Sequence, residues 1–240
     1  MKRPVLKSVY MFYIFLIAAT MSLQCKKESP LLPPTEPPLR QPLAFTQAEI
    51  DTIMAGDSST AMRVMNIFVQ PDSVILRTMA KNVHIGDTLI GYLTDRMYTT
   101  VRHAGGVGIA APQVGINRRI VWVQRYDKGN SMNRSFEVYL NPRIVEYSDT
   151  LVRRWDGCLS VPQTSDYPNV IDSSFRALWV RVEYYLPDGT IKNEKIVHWY
   201  TAHIFQHEID HLNGIMFFDQ YVNKNKHLFT ILPAELFPEN

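Results

Sequence analysis

The segment Phe205–Gly214, FQHEIDHLNG, places two histidines four residues apart with a glutamate directly after the first. On an α-helix, residues i and i+4 share a face, so His207 and His211 would turn their rings toward one point. Glu208 sits about 100° further round the helix, close enough to reach a water beside an ion held there without ligating that ion. This arrangement suits metal-assisted hydrolysis with the carboxylate as general base. The same residue types also serve as plain polarity on a helix surface, so a third protein ligand is needed before the pattern reads as a site.

Three sources of that ligand can be compared. One large metalloprotease class places a third histidine three residues after a glycine; Gly214 is present, but Phe217 stands at the later position. Thermolysin-like proteases take a glutamate from a later helix, and here only Glu235 and Glu239 follow, beside Pro233 and Pro238. The remaining soft donor is Cys158, in RRWDGCLSVP. A thiolate with two imidazoles leaves a fourth coordination position open, as a catalytic site requires.

HAGGVGIAAPQVG (His103–Gly115), DGCLSVP (Asp156–Pro162) and QHEIDHLNG (Gln206–Gly214) together resemble the three signature motifs of the peptide deformylase family. They occur in that family's order, and the resemblance covers about Arg63 to Val222. It implies an α+β, peptide deformylase-like fold, with mixed and antiparallel strands around a metal-bearing HExxH helix. Cys158, His207 and His211 would hold one divalent ion, Fe(II) in the family, with Zn(II) or Ni(II) as alternatives. Glu208 would take a proton from the attacking water and return it to the leaving amine. Gln113, through its side-chain amide, and Leu159, through its backbone N–H, would stabilise the developing oxyanion. Gly106, Val107, Gly108 and Ile109 would bind substrate, the two glycines letting the backbone approach closely.

The reaction so implied is removal of the N-formyl group from formyl-methionyl peptides. The alternatives are an altered acyl-amide substrate, another small acylated amine, or a catalytically inactive binding protein. Two departures from the family pattern feed them. Asp156 stands where the family has glutamate, preceded by Arg153, Arg154 and Trp155. The family's following arginines are missing from QTSDYPNVIDSSF, with none until Arg176. Loss of both partners together is what a rewired ion pair gives, and it puts pocket shape in question while sparing the metal set. Asp210 either orients a ligand histidine or faces solvent. His84, His103, His198, His203 and His227 lack ligand spacing and are expected to be structural or exposed.

The elements that must position these residues are partly legible. Thr46 and Glu49 predict a capping box on a short helix through about Ala55. Asp87 is placed to cap a helix whose apolar residues Leu89, Ile90, Leu93, Met97 and Val101 recur at helical spacing. Ile120–Val123 and Val138–Leu140 read as strands. Leu178, Val180, Val182 and Tyr184 alternate, followed by the turn PDGT and a return strand near Lys195–His198. Thr201–Leu212 fits a helix that Gly214 would end. The absence of regular strand–helix–strand alternation predicts the α+β class.

Composition adds bounds. The chain has 240 residues, 46% hydrophobic and 20% charged, which suits one domain of about 150–200 residues plus extras. Setting aside Lys2, Arg3 and Lys7 leaves 22 bases against 23 acids, with no basic stripe to suggest a nucleic-acid partner. Those three bases precede the apolar run Val9–Met21, which is shorter than the roughly 20 residues of a spanning helix and reads as a signal peptide. SLQC, ending at Cys25, resembles a lipoprotein box, although Ser22 and Gln24 replace the usual aliphatic and small residues. The expected organisation is a signal over 1–25, a Pro-rich tether over 26–44, a short helical lead-in over 45–61 and a metallohydrolase domain over 62–240. The expected location is outside the cytoplasm, anchored through Cys25; it is cytoplasmic if the leader reading fails. Membrane contact would come only through the leader or its lipid, and a monomer is expected. With Cys25 removed or acylated, Cys158 has no intramolecular partner, and metal ligation gives that lone thiol a purpose. An oxidising compartment would threaten a thiolate–Fe(II) pair and favour zinc.

Overall fold

Thr46 begins the first helix, α1 (Gln47–Met54), by the reciprocal bonds its sequence predicts. Its backbone N–H donates to Glu49 Oε2 at 2.8 Å and its Oγ1 accepts from the Glu49 N–H at 3.3 Å. The structure is a computed structural model and describes residues 42–130, 133–163, 171–219 and 230–232. The leader, Cys25 and nearly all of the Pro-rich tether lie outside the described residues.

Phe45 and Ile53 enter the same buried cluster as Leu93 and Met97, so the lead-in is part of the folded core. Two buried arginines strap it down. Arg118 donates to the carbonyls of Leu43 (2.7 Å) and Ala44 (2.6 Å) and to Glu49, while Arg96 donates to the carbonyls of Thr52 and Ile53 at the end of α1 and of Thr60 beyond it. After the short α2 (Asp72–Leu76) comes α3 (Leu89–His103). Asp87 Oδ1 accepts the Leu89 N–H at 2.9 Å, and the buried stripe of α3 contains Ile90, Leu93, Met97 and Val101, as the periodicity requires.

The chain then builds β1 (Gly108–Ala110), a single 3-10 turn (Ala111–Val114), and β2 (Ile120–Asn130), β3 (Asn133–Tyr147), β4 (Thr150–Gly157), β5 (Ile171–Ala177), β6 (Val180–Tyr185) and β7 (Ile191–Ile196). Helix α4 (Trp199–Leu212) and the short β8 (Thr230–Leu232) follow. One antiparallel sheet has the order β1-β2-β3-β6-β7, and a second has the order β5-β4-β8, with β4 and β8 parallel. This is the expected α+β class with mixed strands. On β6, Val180, Val182 and Tyr184 face the core as predicted, but Leu178 precedes the strand. The return strand begins at Ile191, earlier than expected, directly after the turn at Gly189 (φ 86°).

Helix α4 packs across the larger sheet, with Ile204, Phe205, Ile209 and Leu212 against Val121, Val123, Tyr139, Val180 and Val182. It starts at Trp199 rather than Thr201, because His198 caps it by accepting the Thr201 N–H at Nδ1 (3.4 Å). At its end Gly214 adopts φ 73°, which lets the Gly214 and Ile215 N–H groups return to the His211 and Asp210 carbonyls. The smaller sheet was not legible beforehand, yet its central strand β4 carries the chain into Cys158.

Candidate metal centre

Three elements meet at one point. Helix α4 supplies His207, Glu208 and His211; the turn after β4 supplies Cys158; the 3-10 turn after β1 supplies Gln113. His207 Nε2 and His211 Nε2 lie 3.2 Å apart, and Cys158 Sγ lies 3.2 Å from His211 Nε2. Sγ and the two ring nitrogens all fall within 4.8 Å of one another. Two nitrogens bound tetrahedrally to one cation at about 2.05 Å would stand about 3.3 Å apart, so the donor set fits a single metal ion. Among the described residues this is the only such grouping of Cys, His and acidic side chains.

A buried carboxylate fixes one ring. Asp156 Oδ1 accepts from His207 Nδ1 at 2.6 Å, which places the proton on Nδ1 and leaves the Nε2 lone pair facing the cluster. The second oxygen, Oδ2, accepts from Ser174 Oγ at 2.7 Å and from Arg176 Nε and Nη2 at 3.2 and 2.9 Å. Burial pushes the Asp156 carboxyl up, but the charges of His207 and Arg176 outweigh it and hold its pKa well below the carboxylate range. Burial disfavours charge on His207, and Asp156 overcomes this, keeping that ring well above the usual histidine value. Burial and the facing His207 press His211 well below it.

Here the sequence expectation needs correction. The arginine partner is not lost: Arg176, twenty residues from Asp156, pairs with it across β4 and β5. The same guanidinium pairs with Asp210 on α4, so Asp210 neither orients a ligand histidine directly nor simply faces solvent. Arg176, wholly buried, clamps β4 to α4 and thereby sets Cys158 against the two histidines. His203, expected to be structural or exposed, is buried with Nε2 3.4 Å from Asp156 Oδ1, and Ser174, which the sequence did not single out, donates to Asp156 Oδ2. Only the need of a buried aspartate for counter-charge could have pointed to Arg176.

Glu208 is buried beside this cluster, and its Oε2 has no hydrogen-bond partner among the described residues. Burial pushes its carboxyl up to about 7, with His207 offsetting part of the rise; that value suits proton exchange near neutrality. Gly108 explains its position: a Cβ there would collide with Glu208 Oε1 and lie 2.9 Å from Ile204 Cγ2. A Cβ at Gly106 would lie 2.9 Å from Val101 Cγ2 and 3.1 Å from Leu159 Cδ1. Both glycines are thus required by close approach.

Gln113 Oε1 accepts the Ala110 N–H at 2.9 Å, which turns Nε2 toward Ser160 Oγ (3.4 Å) and Cys158 Sγ (3.6 Å). The Leu159 backbone N–H has no acceptor among the described residues. Val107 is half-buried, whereas Ile109 is fully buried in the core, so only its backbone is available to a ligand.

The family described as polypeptide deformylase matches residues 64–227. A peptide deformylase of Bradyrhizobium sp. (strain ORS 278) is 36% identical over 167 residues, covering 69% of this chain and 90% of that protein. Peptide deformylase 1 of Pseudomonas syringae pv. tomato is 38% identical over 163 residues, covering 68% and 89%. Among solved structures, the class I type b peptide deformylase of Acinetobacter baumannii with Met-Ala-Ser bound superposes with a TM-score of 0.58 at 32% identity. It covers 68% of this chain and 99% of that one. The Thermotoga maritima enzyme gives 0.57 at 30% identity, covering 67% and 97%.

Proposed function

This chain belongs to the peptide deformylase family, and from that premise we infer that it removes the formyl group from N-formylmethionyl peptides by metal-dependent hydrolysis. The observation that carries the reading is the convergence of Cys158, His207 and His211 beside a buried Glu208 and an amide aimed by Ala110. Cys158, His207 and His211 would hold the ion. When bound there, a divalent cation would supply Lewis acidity toward the formyl carbonyl and water.

The protein's own groups do the rest. Glu208 accepts a proton from the attacking water and delivers it to the departing amine. The Gln113 Nε2–H and the Leu159 N–H donate to the oxygen that gains charge as the carbonyl is attacked. Asp156 keeps the His207 proton on Nδ1 throughout. Peptide binding is supported by edges: β1 ends the larger sheet, and among the described residues β4 pairs with β8 at Thr150–Val152 alone. Gly106 lies against Leu159, so the β1 approach and the Cys158 turn are direct neighbours. Fe(II) is the family's usual ion; a thiolate and two imidazoles accept Zn(II) or Ni(II) equally in ligand type.

The decisive experiment measures formate release from a formyl-Met peptide by full-chain protein loaded with Fe(II), Ni(II) or Zn(II), alongside bound-metal analysis. Turnover with one ion per chain is expected; a full metal complement without formate would overturn the assigned activity. The location is proposed from the leader alone: export, with Cys25 acylated and the tether holding the enzyme off the membrane. No helix among the described residues is long and apolar enough to cross a membrane. Radiolabelled fatty acid that enters the wild-type chain but not Cys25→Ser supports the anchor, and no label in either rejects it.

A further inference from the structure

Against the metal centre lies a third, smaller core cluster that contains Met65, Ile67, Leu76, Val161 and Phe217, with Cys158 packed against them. The segment Met65–Ile67 crosses it as a strap between two turns of the site. The Met65 N–H donates to the Gln113 carbonyl at 2.8 Å, and the Ile67 N–H donates to the Ser160 carbonyl at 3.0 Å. One of these turns carries the amide, and the other carries the thiol. Two residues of backbone reach at most about 7 Å, so the strap limits how far the turns can part.

The strap is itself held in place. Asp72, buried at the start of α2, accepts from Arg63 Nη1 and Nη2 at 2.7 Å each and from the Asn66 N–H at 2.9 Å. That last bond falls between the two strap bonds, so Asp72 grips the segment at its middle. The Met65 side chain fills the space beside Gly115, where a Cβ would lie 2.5 Å from Met65 Cε. Elsewhere in the same cluster Phe217 stacks on the His207 ring, with centroids 6.4 Å apart at 22°. Neither Met65 nor Asp72 belongs to the cation-holding group, so any effect on chemistry passes through the turns they hold. Between those turns Gln113 Nε2 lies 3.6 Å from Cys158 Sγ, and a donor aimed at a ligand sulfur tunes the metal that sulfur binds.

We propose that Met65 and Asp72 are positioning residues for the reaction: Asp72 fixes the strap, and the strap sets the Gln113 amide against the Cys158 sulfur. Loosening it then lowers turnover without releasing the metal. The inference rests on the deformylase reading for its substrate, and its test separates the two.

Full-chain protein loaded with Co(II) gives two readouts: formate release from a formyl-Met peptide, and the sulfur-to-cobalt charge-transfer band, which needs no turnover. Met65→Ala and Asp72→Ala should each lower kcat about 10–100-fold, as misplacement of a catalytic group does, with KM and bound cobalt within about twofold of wild type. The band should shift in both variants. Met65→Leu, which keeps most of the volume, and Asp72→Asn, whose amide oxygen can still accept the Asn66 N–H, should recover most of the kcat. Ile53→Ala weakens the fold away from the site and should lower the urea midpoint while kcat and band stay in place. A wild-type kcat and band in Met65→Ala, or the same band shift in Ile53→Ala, overturns the proposal. Should Asp72→Ala fail to fold, the Met65 pair decides alone. In a Gln113→Ala background Met65→Ala should cost little further kcat, and an undiminished loss there also overturns the proposal. Absent formate from the wild-type protein would remove the deformylase reading, while the band still tests the strap.

Discussion

Asp156 accepts the Nδ1 proton of His207 at 2.6 Å, from a strand 51 positions earlier in the chain. This bond couples the smaller sheet to the helix that carries both histidines. The aspartate is itself held by Ser174 and Arg176, so the ring's tautomer rests on a buried network. Asp156→Asn should keep the shape and lose the charge. Metal affinity is then expected to fall about 10–100-fold, measured by chelator competition. Unchanged affinity would mean that the carboxylate does not tune the ligand.

Glu208 and Cys158 should fail differently. Glu208→Gln keeps the volume against Gly108 but cannot accept a proton, so kcat/KM should drop about 10²–10⁴-fold with metal retained. Cys158→Ala removes a ligand, and bound metal should be lost with the activity. Elemental analysis beside the kinetics separates the two, and a fully active Glu208→Gln would remove the base from its role.

Gly108→Ala tests the close approach from the other side. Its Cβ would strike Glu208 Oε1 and crowd Ile204, so Glu208 must shift. Overpacking of this kind costs about 1–3 kcal/mol, read as a lower urea midpoint, and kcat should fall while metal content holds. Wild-type kcat in this variant would show that Glu208 tolerates displacement.

Acid should loosen the larger sheet. Arg125 is fully buried and donates to Asp127, Glu194 and Tyr139. Burial raises both carboxyls, and the Arg125 hydrogen bonds outweigh it, leaving Asp127 and Glu194 below their ordinary 3.8 and 4.5. A depressed folded pKa gives stability that is complete above the unfolded value and lost as pH falls through the folded one. The urea midpoint should therefore decline below about pH 4.5, and less steeply in Asp127→Asn/Glu194→Gln. Equal slopes would assign the acid limb to other groups.

Truncation should expose the role of the lead-in. A chain starting at Met62 lacks Phe45, Ile53 and the acceptors of Arg118 and Arg96. Losing one buried isoleucine alone costs about 2 kcal/mol, so this chain should unfold at lower urea than one starting at Pro42. Matching midpoints would mean that the lead-in only decorates the domain.

Local chemistry was readable in advance because its causes are local. The pair His207 and His211 follows from helical spacing, the cap on α1 from Thr46 and Glu49, and the stripe on α3 from its period. Motif resemblance supplied Cys158 and Gln113 as partners. What stayed hidden was β4 with β5, because RRWDG carries arginines and an aspartate where a strand signal needs clean alternation. Buried Arg96, Arg118, Arg125 and Arg176 were hidden for the same reason: charge predicts surface unless its counter-charges are known, and those lie far off in sequence.

The sequence by itself determined which atoms could hold a cation and which carboxylate could move a proton, through side-chain type, helical period and the resemblance of three motifs to one family. Only the tertiary structure decided how these donors are held: which arginine neutralises Asp156, and why Gly108 must lack a side chain. Those relationships depend on strand pairing and burial between distant segments, and burial converts an ordinary ion pair or glycine into a constraint that no local pattern encodes.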